Sequence, residues 1–350
     1  MIKYVKNIEE VRDYLVSCER DFFNSYEWYS NFVANVIAVD KDQYRFICCF
    51  HDDKDWFSIV PVRLKKEKFG FSVTSLTNYY SPKYKILTNG LAPDRLDLVL
   101  ECLDGLAPSW GKFTIDSLDE ADCSELKKSV NFFKYPSSRL FHFANWYLPV
   151  LGRTYDEYFS ELSPRVKNTV TRKYRAFEKL ENAEIKIFKA LDKVEAAIND
   201  FQAVYKNSWK RPEPYPEFIP GLIKLAAEQQ ALRLGIIYLR GVPIAAQLWF
   251  VADQTAYIFK LAYDEEYKKY SAGTILTASL MRHVIDIDKV EVVDFLSGDD
   301  EYKKEWMSCR RERFSICFYN FWSIYGAYMA TLAFLRFFLS ASGYIRRLCR

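Results

Sequence analysis

The sequence predicts an α/β protein whose two domains share one order of strands and helices. Three observations support this prediction: the chain has 350 residues, half of its residues are hydrophobic, and one pattern of strands and helices occurs twice. A chain of this length usually forms two domains. Its 50% hydrophobic and 17% aromatic residues can fill both cores. Each domain is expected to hold a mixed central sheet flanked by helices.

The second half of the chain shows the pattern most completely. The predicted elements are strands at 233–239, 244–251 and 256–263, a helix through Leu276, Leu280 and Val284, a strand at 290–296, a short helix with Tyr302 and Lys303, and a strand at 314–318. Turn residues separate the first three strands, which therefore predict a meander. A basic loop with Gly273 then opens the first helix. Such a helix start is a place for a phosphate-bearing cofactor.

The first half repeats this order without the glycine loop. Its predicted elements are strands at 44–50, 56–62 and 69–76, a helix at 96–106, a strand at 112–117, a helix at 120–131 and an extended segment at 140–150. The matching loop, 79–86, has no glycine that opens a helix. We therefore expect residues 1–150 to form a domain without the cofactor loop and residues 151–320 to form a domain with it.

The candidate cofactor site is the loop and first helical turn of the second half. Its residues are Lys268, Lys269, Ser271, Ala272, Gly273 and Thr274. The backbone amides at a helix start carry partial positive charge, and a diphosphate accepts several of them if no side chain blocks it. Gly273 gives that access, Ser271 can cap the helix or donate its hydroxyl, and the lysines add charge. The alternative is an ordinary turn between a strand and a helix.

These residues carry a resemblance to a known family. The motifs are Tyr270-Ser-Ala-Gly-Thr-Ile-Leu276, Asp294-Phe-Leu-Ser-Gly-Asp-Asp-Glu-Tyr-Lys303 with Trp306, Ser163-Pro-Arg-Val-Lys-Asn-Thr-Val-Thr-Arg-Lys-Tyr-Arg175, Gly241-Val-Pro-Ile-Ala-Ala246 and Ser25-Tyr-Glu-Trp28. The sequence resembles the double-GNAT acyltransferases, similar to FemAB and to the CelD-type proteins of bacterial polysaccharide operons. The resemblance covers most of the chain. Ala272 departs from it, because the family usually has proline there.

The resemblance implies two tandem GNAT-like domains and an acyl-CoA donor, with acetyl-CoA as the expected one. The pantetheine would lie beside 257–263 and the diphosphate at 271–274. Three side chains would carry the chemistry: Tyr302 protonates the leaving thiolate, Asp294 accepts the proton of the amine, and Lys303 stabilises negative charge. Each has a structural alternative, since Asp294 can cap a turn, Tyr302 can belong to the core and Lys303 can be exposed.

The resemblance also implies the acceptor of the acyl group. It is expected to be an amine, or less often a hydroxyl, of a cell-envelope or polysaccharide precursor. The partner of the protein would then be a small molecule or a glycan precursor. Two alternatives stay open. The acyl donor can be an aminoacyl-tRNA, as in the FemAB-type enzymes that build peptidoglycan bridges. The protein can instead be a catalytically idle interaction protein at a membrane.

The composition of the chain argues against several other classes of protein and of binding site. The 49 basic and 46 acidic residues leave a net charge of only +3, so a DNA-binding protein is not expected. The eight cysteines form no Cys-x-x-Cys pair and the three histidines are spread widely, so we expect no metal site. Reduced thiols and an N-terminus without the apolar stretch of a signal peptide predict a cytoplasmic protein.

Two further segments allow two interpretations each. The helix after Ser163-Pro164 carries a basic face that is either solvated or a wall beside an anionic ligand. Its basic residues are Arg165, Lys167, Arg172, Lys173, Arg175 and Lys179. Residues 321–335 have no charge, and Arg336, Arg346, Arg347 and Arg350 follow them. The segment 321–350 is therefore expected to be a helix that packs on its domain or lies on the inner face of an anionic membrane.

Overall fold

The computed structural model describes residues 2–18, 21–50, 57–89, 96–107, 109–130 and 134–335. The chain divides into two compact units. The first contains the chain up to Phe143 and again from Glu312, and the second contains Ala144–Arg311. Each unit combines a mixed sheet with helices, which confirms the predicted α/β class.

The first unit contains the elements of the N-terminal half and of the C-terminus. Its strands are β1 (Ile2–Val5), β2 (Gln43–Phe50), β3 (Phe57–Glu67), β4 (Gly70–Ser75), β5 (Leu87–Thr88), β6 (Trp110–Leu118), the start of β7 (Ser137–Pro149) and most of β13 (Cys309–Tyr319). Its helices are α1 (Arg12–Ser17), α2 (Tyr26–Phe32), α3 (Ala38–Asp40), α4 (Leu96–Leu106), α5 (Glu120–Lys128) and α12 (324–335).

The second unit contains the remaining elements. Its strands are the end of β7, β8 (Ala183–Phe188), β9 (Leu232–Leu239), β10 (Val242–Ala252), β11 (Thr255–Tyr263) and β12 (Val292–Ser297). Its helices are α6 (Tyr155–Glu161), α7 (Pro164–Phe177), α8 (Val194–Lys206), α9 (Phe218–Glu228), α10 (Ala272–Arg282) and α11 (Glu301–Trp306).

The two sheets have the same strand order, as the repeated pattern of the sequence predicts. In the first unit β1, β2, β3 and β4 are antiparallel neighbours, β4 pairs β6 in parallel, and β6 pairs β13 antiparallel. In the second unit β8, β9, β10 and β11 are antiparallel neighbours, β11 pairs β12 in parallel, and β12 pairs β7 antiparallel. Among the described strands, the parallel pair lies at the corresponding position of both sheets.

The last strand of each sheet comes from the opposite half of the chain. Residues Phe314–Tyr319 of β13 pair with β6 in the first unit, and Asn145–Pro149 of β7 pair with β12 in the second. The compact units therefore change at Phe143 and Arg311, whereas the sequence predicts domain limits at 150 and 320. The difference arises because sequence order alone does not show which sheet a strand joins.

The start of α7 follows the rule by which the sequence predicts it. The Ser163 side chain accepts a hydrogen bond from the Val166 amide at 3.4 Å, and Pro164 occupies the first turn, where its missing N–H costs nothing. Val166, Val170 and Phe177 are buried in the core of the second unit. This places the N-terminus of α7, with Arg165, at the edge of that core.

The C-terminal helix α12 occupies 324–335, which agrees with a helix in the apolar segment predicted at 321–350. One face of it packs on the first unit through Ala330, which contacts Cys317 and Tyr319. The predicted arginines at 336, 346, 347 and 350 lie outside the described residues. Among the residues that the structure describes, no helix has both the length and the apolar character needed to cross a bilayer.

Candidate functional site

The second unit contains a cavity of about 440 Å³ where β11 separates from β12. The two strands pair only over Thr255–Tyr257 and Val292–Asp294, although β11 continues to Tyr263. The cavity lies beside the part of β11 that extends beyond this pairing. Its lining residues are Arg165, Val166, Thr169, Trp209, Gln247, Leu261, Ala262, Tyr263, Gly273, Thr274, Thr277, Tyr302, Glu305 and Trp306.

The backbone turn before α10 aims the start of the helix at this cavity. Ser271 is left-handed, with φ 56° and ψ 38°, and its amide donates to Lys268 O at 3.0 Å. Its carbonyl accepts the amides of Thr274 at 3.0 Å and Ile275 at 3.2 Å. Helix geometry leaves the preceding amides, those of Ala272 and Gly273, without an acceptor inside the helix. Of these two residues, Gly273 lines the cavity.

Only part of the predicted cofactor loop lines the cavity. Gly273 and Thr274 do, whereas Lys268, Lys269, Ser271 and Ala272 are not among its lining residues. The predicted capping role of Ser271 is not observed, because its side chain makes no cap hydrogen bond in this described segment. Its left-handed backbone gives the reason, since the loop enters α10 through a turn and not through the extended conformation usual for a cap.

Gly273 is an opening in the cavity wall. Its φ is not in the left-handed region, so the backbone conformation does not require glycine. A Cβ at this position would meet one neighbour, Cδ1 of Tyr263, at 3.4 Å. A larger side chain would therefore project into the space between α10 and the end of β11. The absence of a side chain at residue 273 leaves this space open, as the predicted phosphate site requires.

Gln247 on β10 fixes the first turn of α10, and the sequence analysis missed it. Its side-chain nitrogen donates to Gly273 O at 2.9 Å and to Thr277 Oγ1 at 2.8 Å. Its side-chain oxygen accepts the Trp249 indole N–H at 3.0 Å. Gln247 is 1% exposed, so these bonds replace water inside the core. The sequence pattern that could have identified Gln247 is a polar residue inside the apolar run 244–251.

Two titratable side chains of α11 reach the cavity from one face of the helix. Tyr302 and Glu305 are three residues apart and both line it, together with Trp306. The Tyr302 ring contacts Phe295 edge to face, with centroids 5.6 Å apart. Burial raises the pKa of the Tyr302 phenol, and the Asp300 carboxylate raises it further. The phenol therefore keeps its proton at neutral pH, which a proton donor requires.

Glu305 joins α11 to the start of α7. Its carboxylate forms an ion pair with the Arg165 guanidinium, and both residues line the cavity. Arg165 is therefore the member of the predicted basic face that lies at the site. Lys173 contacts the loop, donating to Lys269 O at 2.7 Å, while Arg172 is exposed. Glu305 was not predicted from the sequence. Its spacing of three residues from Tyr302 on a short helix is the pattern that could have identified it.

Asp294 lies away from the cavity in a buried polar cluster. Its carboxylate accepts hydrogen bonds from Asn145 Nδ2 at 2.6 Å, from the Leu296 amide at 2.7 Å and from Arg311 at 2.5 Å. It is 1% exposed and is not a lining residue. Both oxygens are thus engaged, so the structure does not bring Asp294 to the place where an amine proton would be released.

Lys303 also points away from the cavity. Its ammonium donates to Phe295 O at 3.2 Å and to Ser297 O, and lies 3.7 Å from Asp300 Oδ2. Burial lowers the pKa of this ammonium, and the neighbouring carboxylates of Asp300 and Asp294 oppose that shift. Lys303 therefore holds α11 to the end of β12. Lys303 is not a lining residue of the cavity, because α11 turns residue 302 and not 303 toward it, so the predicted role of Lys303 at the reacting groups stays a prediction.

The segment after α8 supplies the remaining wall. Trp209 lines the cavity and its ring packs at a tilt against Tyr263, with ring centroids 4.5 Å apart. The ammonium of Lys210 lies 5.8 Å from the Trp209 ring, and burial with the nearby Lys260 charge lowers the pKa of Lys210 to about 8. In the described part of the chain, no group of histidine, cysteine and carboxylate residues is arranged to hold a metal ion.

Comparison with known proteins places this geometry in context. Residues 164–304 match the model of the acetyltransferase (GNAT) domain, a span that contains the cavity and every lining residue except Glu305 and Trp306. A sequence search of curated proteins gave no match.

Three solved structures share the fold over most of their length. FemX aligns over 90% of this chain and 96% of its own, with 9% identity and a TM-score of 0.59. A conserved protein of unknown function from Bacteroides thetaiotaomicron aligns over 91% and 100%, with 11% identity and a TM-score of 0.58. The C-terminal domain of a putative lysylphosphatidylglycerol synthetase from Agrobacterium fabrum aligns over 89% and 91%, with 9% identity and a TM-score of 0.55.

Proposed function

We propose that the protein is an acyl-CoA-dependent N-acyltransferase, because residues 164–304 match the model of the acetyltransferase (GNAT) domain and FemX shares the fold over 90% of this chain. The proposed donor is acetyl-CoA, and the proposed acceptor is an amine of a cell-envelope or polysaccharide precursor. The observation that carries the proposal is the cavity between β11, α10 and α11, because its lining combines the start of a helix with a phenol and a carboxylate. Membership of the CelD-type branch stays a prediction.

The start of α10 suits the diphosphate of coenzyme A. The amides of Ala272 and Gly273 have no acceptor within the helix, and the partial positive charge of a helix N-terminus attracts phosphate. Gly273 leaves the approach open, since a Cβ there would occupy the space toward Tyr263. Gln247 holds the Gly273 carbonyl and so keeps this turn in place.

The separated edge of β11 suits the amide-bearing arm of the donor. Beyond Tyr257, β11 no longer pairs with β12, so β12 does not cover this edge of the strand. An extended chain with amide groups can bind such an edge as an added strand does. Leu261, Ala262 and Tyr263 of this edge line the same cavity as Gly273 and Tyr302.

Tyr302 and Glu305 are the proposed proton donor and acceptor. In transfer from a thioester to an amine, a C–N bond forms, the C–S bond breaks, the amine loses a proton and the thiolate gains one. Tyr302 keeps its phenol proton at neutral pH and can give it to the thiolate. Glu305 pairs with Arg165 through its carboxylate, which can take the amine proton once the acceptor enters. Glu305 thereby takes the role that the sequence analysis gave to Asp294.

We expect Glu305→Gln to lower turnover about 100-fold, because an amide cannot accept the amine proton and general base catalysis contributes at least this factor. Binding of acetyl-CoA, measured by calorimetry, should change less than about threefold. Arg165→Met is the matched control, since it breaks the same ion pair and keeps the carboxylate. Equal losses in the two variants would show that Glu305 acts only as the partner of Arg165.

We expect Gly273→Val to weaken coenzyme A binding at least tenfold, about 1.4 kcal/mol, because the branched side chain would lie where phosphate oxygens must meet the α10 amides. Titration of free coenzyme A and acetyl-CoA into the folded variant measures this effect. Ser279→Val is the matched control, since it places the same side chain on α10 away from the lining of the cavity. Unchanged affinity in a folded Gly273→Val variant would remove the proposed diphosphate site.

A further inference from the structure

The helix α12 has a packed inner face that fixes it to the first unit. Ala330 is buried against Cys317 and Tyr319, and Met329 and Ala333 pack beside it. Gly326 lies so close to the backbone that a side chain there would collide with the Asn320 carbonyl. The position of α12 on its unit is therefore set by close contact and does not depend on a partner.

The outer face of α12 is apolar and exposed. Ile324, Tyr328 and Leu335 follow at spacings of four and seven residues, so they share one side of the helix. Ile324 is 88% exposed, and Trp322, just before the helix, is 86% exposed. Residues 321–335 contain no charged side chain. Single exposed apolar residues are common, but a contiguous group of this kind indicates a binding surface.

A hairpin end lies beside this face. Tyr325 covers Gly111 of β6, where a side chain would collide with its ring. The Phe71 amide of β4 donates to Ser109 O at 3.2 Å, and Phe71 pairs with Trp110, so the end of the β3–β4 hairpin lies beside the start of β6 that Tyr325 covers. Glu67 pairs with Gly70 at the turn between β3 and β4. The hairpin end and α12 therefore belong to one surface of the first unit.

This hairpin end is basic. We call its exposed lysines, Lys65, Lys66 and Lys68, the basic hairpin. Phe69 at its tip is also exposed, and the Lys68 ammonium lies 5.3 Å from its ring. The one acidic residue between them, Glu67, accepts a hydrogen bond from Ser72 at 2.8 Å. An exposed apolar face thus adjoins a cluster of cations.

We propose that the outer face of α12 and the basic hairpin together bind the surface of an anionic lipid bilayer. Apolar and aromatic side chains insert at the level of the headgroups, while lysines pair with anionic lipids. The 12 residues of 324–335 extend about 18 Å, which is too short for a span of about 30 Å and suits a helix that lies in the interface. The positive charges favour this partner over an apolar protein groove.

The test is co-sedimentation of the full chain with vesicles of phosphatidylcholine alone and of phosphatidylcholine mixed with phosphatidylglycerol, at low and high salt. Removal of residues after 320 would also remove the packed inner face, so exposed positions are changed instead. One variant combines Trp322→Ser and Ile324→Ser, and the other changes all lysines of the basic hairpin to glutamine. Leu151→Ser and the pair Lys127→Gln, Lys128→Gln are matched controls, because these residues are exposed elsewhere.

The parent chain should bind the anionic vesicles, and high salt should weaken this binding. The serine variant should lose at least tenfold in partition coefficient, because it removes the two most exposed apolar side chains. The glutamine variant should lose on the order of 100-fold on anionic vesicles, about fivefold for each lysine. The control variants should bind as the parent does.

Two results would overturn the proposal. One is a parent chain that stays in solution with anionic vesicles at low salt. The other is a parent dimer, detected by sedimentation velocity, that the serine variant dissociates while vesicle binding is unaffected. In that case the outer face of α12 would bind a second copy of the chain.

Discussion

Tyr302→Phe is expected to lower turnover about 100-fold while acetyl-CoA affinity changes little. The phenol donates its proton only as the thiolate leaves, so its loss affects the transition state and not the bound ground state. The raised pKa of Tyr302 keeps the donor protonated from pH 7 to beyond pH 9, so this donor should not limit turnover at alkaline pH in the parent. Steady-state kinetics with a matched calorimetric titration measure both quantities.

Tyr263→Phe is the control for this prediction. Tyr263 also lines the cavity, but it lies on β11 beside Gly273 and not on α11. Its variant should keep turnover within about threefold of the parent if Tyr302 is the donor. Equal rates for Tyr302→Phe and the parent would exclude Tyr302 from the reaction, while a shared loss in both variants would indicate a general change in the cavity.

Asp294→Asn is expected to lower the free energy of unfolding by about 2 to 4 kcal/mol. The asparagine can keep its oxygen at the Oδ1 position, where Asn145 and the Leu296 amide donate, but its nitrogen then faces the Arg311 guanidinium, which loses its anionic partner. Because Arg311 remains partly exposed, water offsets part of the loss. Urea denaturation followed by circular dichroism measures the difference.

The same variant distinguishes the two roles of Asp294. If it is structural, turnover per folded molecule should stay within about threefold of the parent. Asp299→Asn is the matched control, since its ion pair with Arg310 is exposed and should contribute less than about 1 kcal/mol. A loss of turnover near 100-fold with unchanged stability would return Asp294 to the role of proton acceptor.

The elements around the cavity could be predicted because each has a local signal. The turn residues between β9, β10 and β11 and the four-residue repeat through Leu276 and Leu280 match the observed β9–β10–β11–α10 segment closely. Ser163 before α7 and Pro164 at its first position predict the start of this helix. These signals depend on neighbouring residues only, so one sequence is enough to interpret them.

The side chains of the site could be predicted only in part, because their direction depends on tertiary packing. Adjacent residues of α11 point to different surroundings, so Tyr302 faces the cavity and Lys303 faces the end of β12. Sequence motifs place both near the site and do not distinguish them. Gln247 and Glu305 gain their importance from partners 26 or more residues away, Gly273 and Arg165, and no local pattern records such a contact.

The return of β13 to the first unit sets an order for biosynthesis. Leu118 of β6 pairs with Phe314, so 195 residues are translated between these partners. At about 5 to 20 residues per second, the ribosome needs roughly 10 to 40 s to supply the missing strand. The second unit, which ends at Arg311, is complete before the first. During that interval one edge of β6 lacks its neighbour, and chaperones that cover open strand edges would act on the nascent chain at this stage.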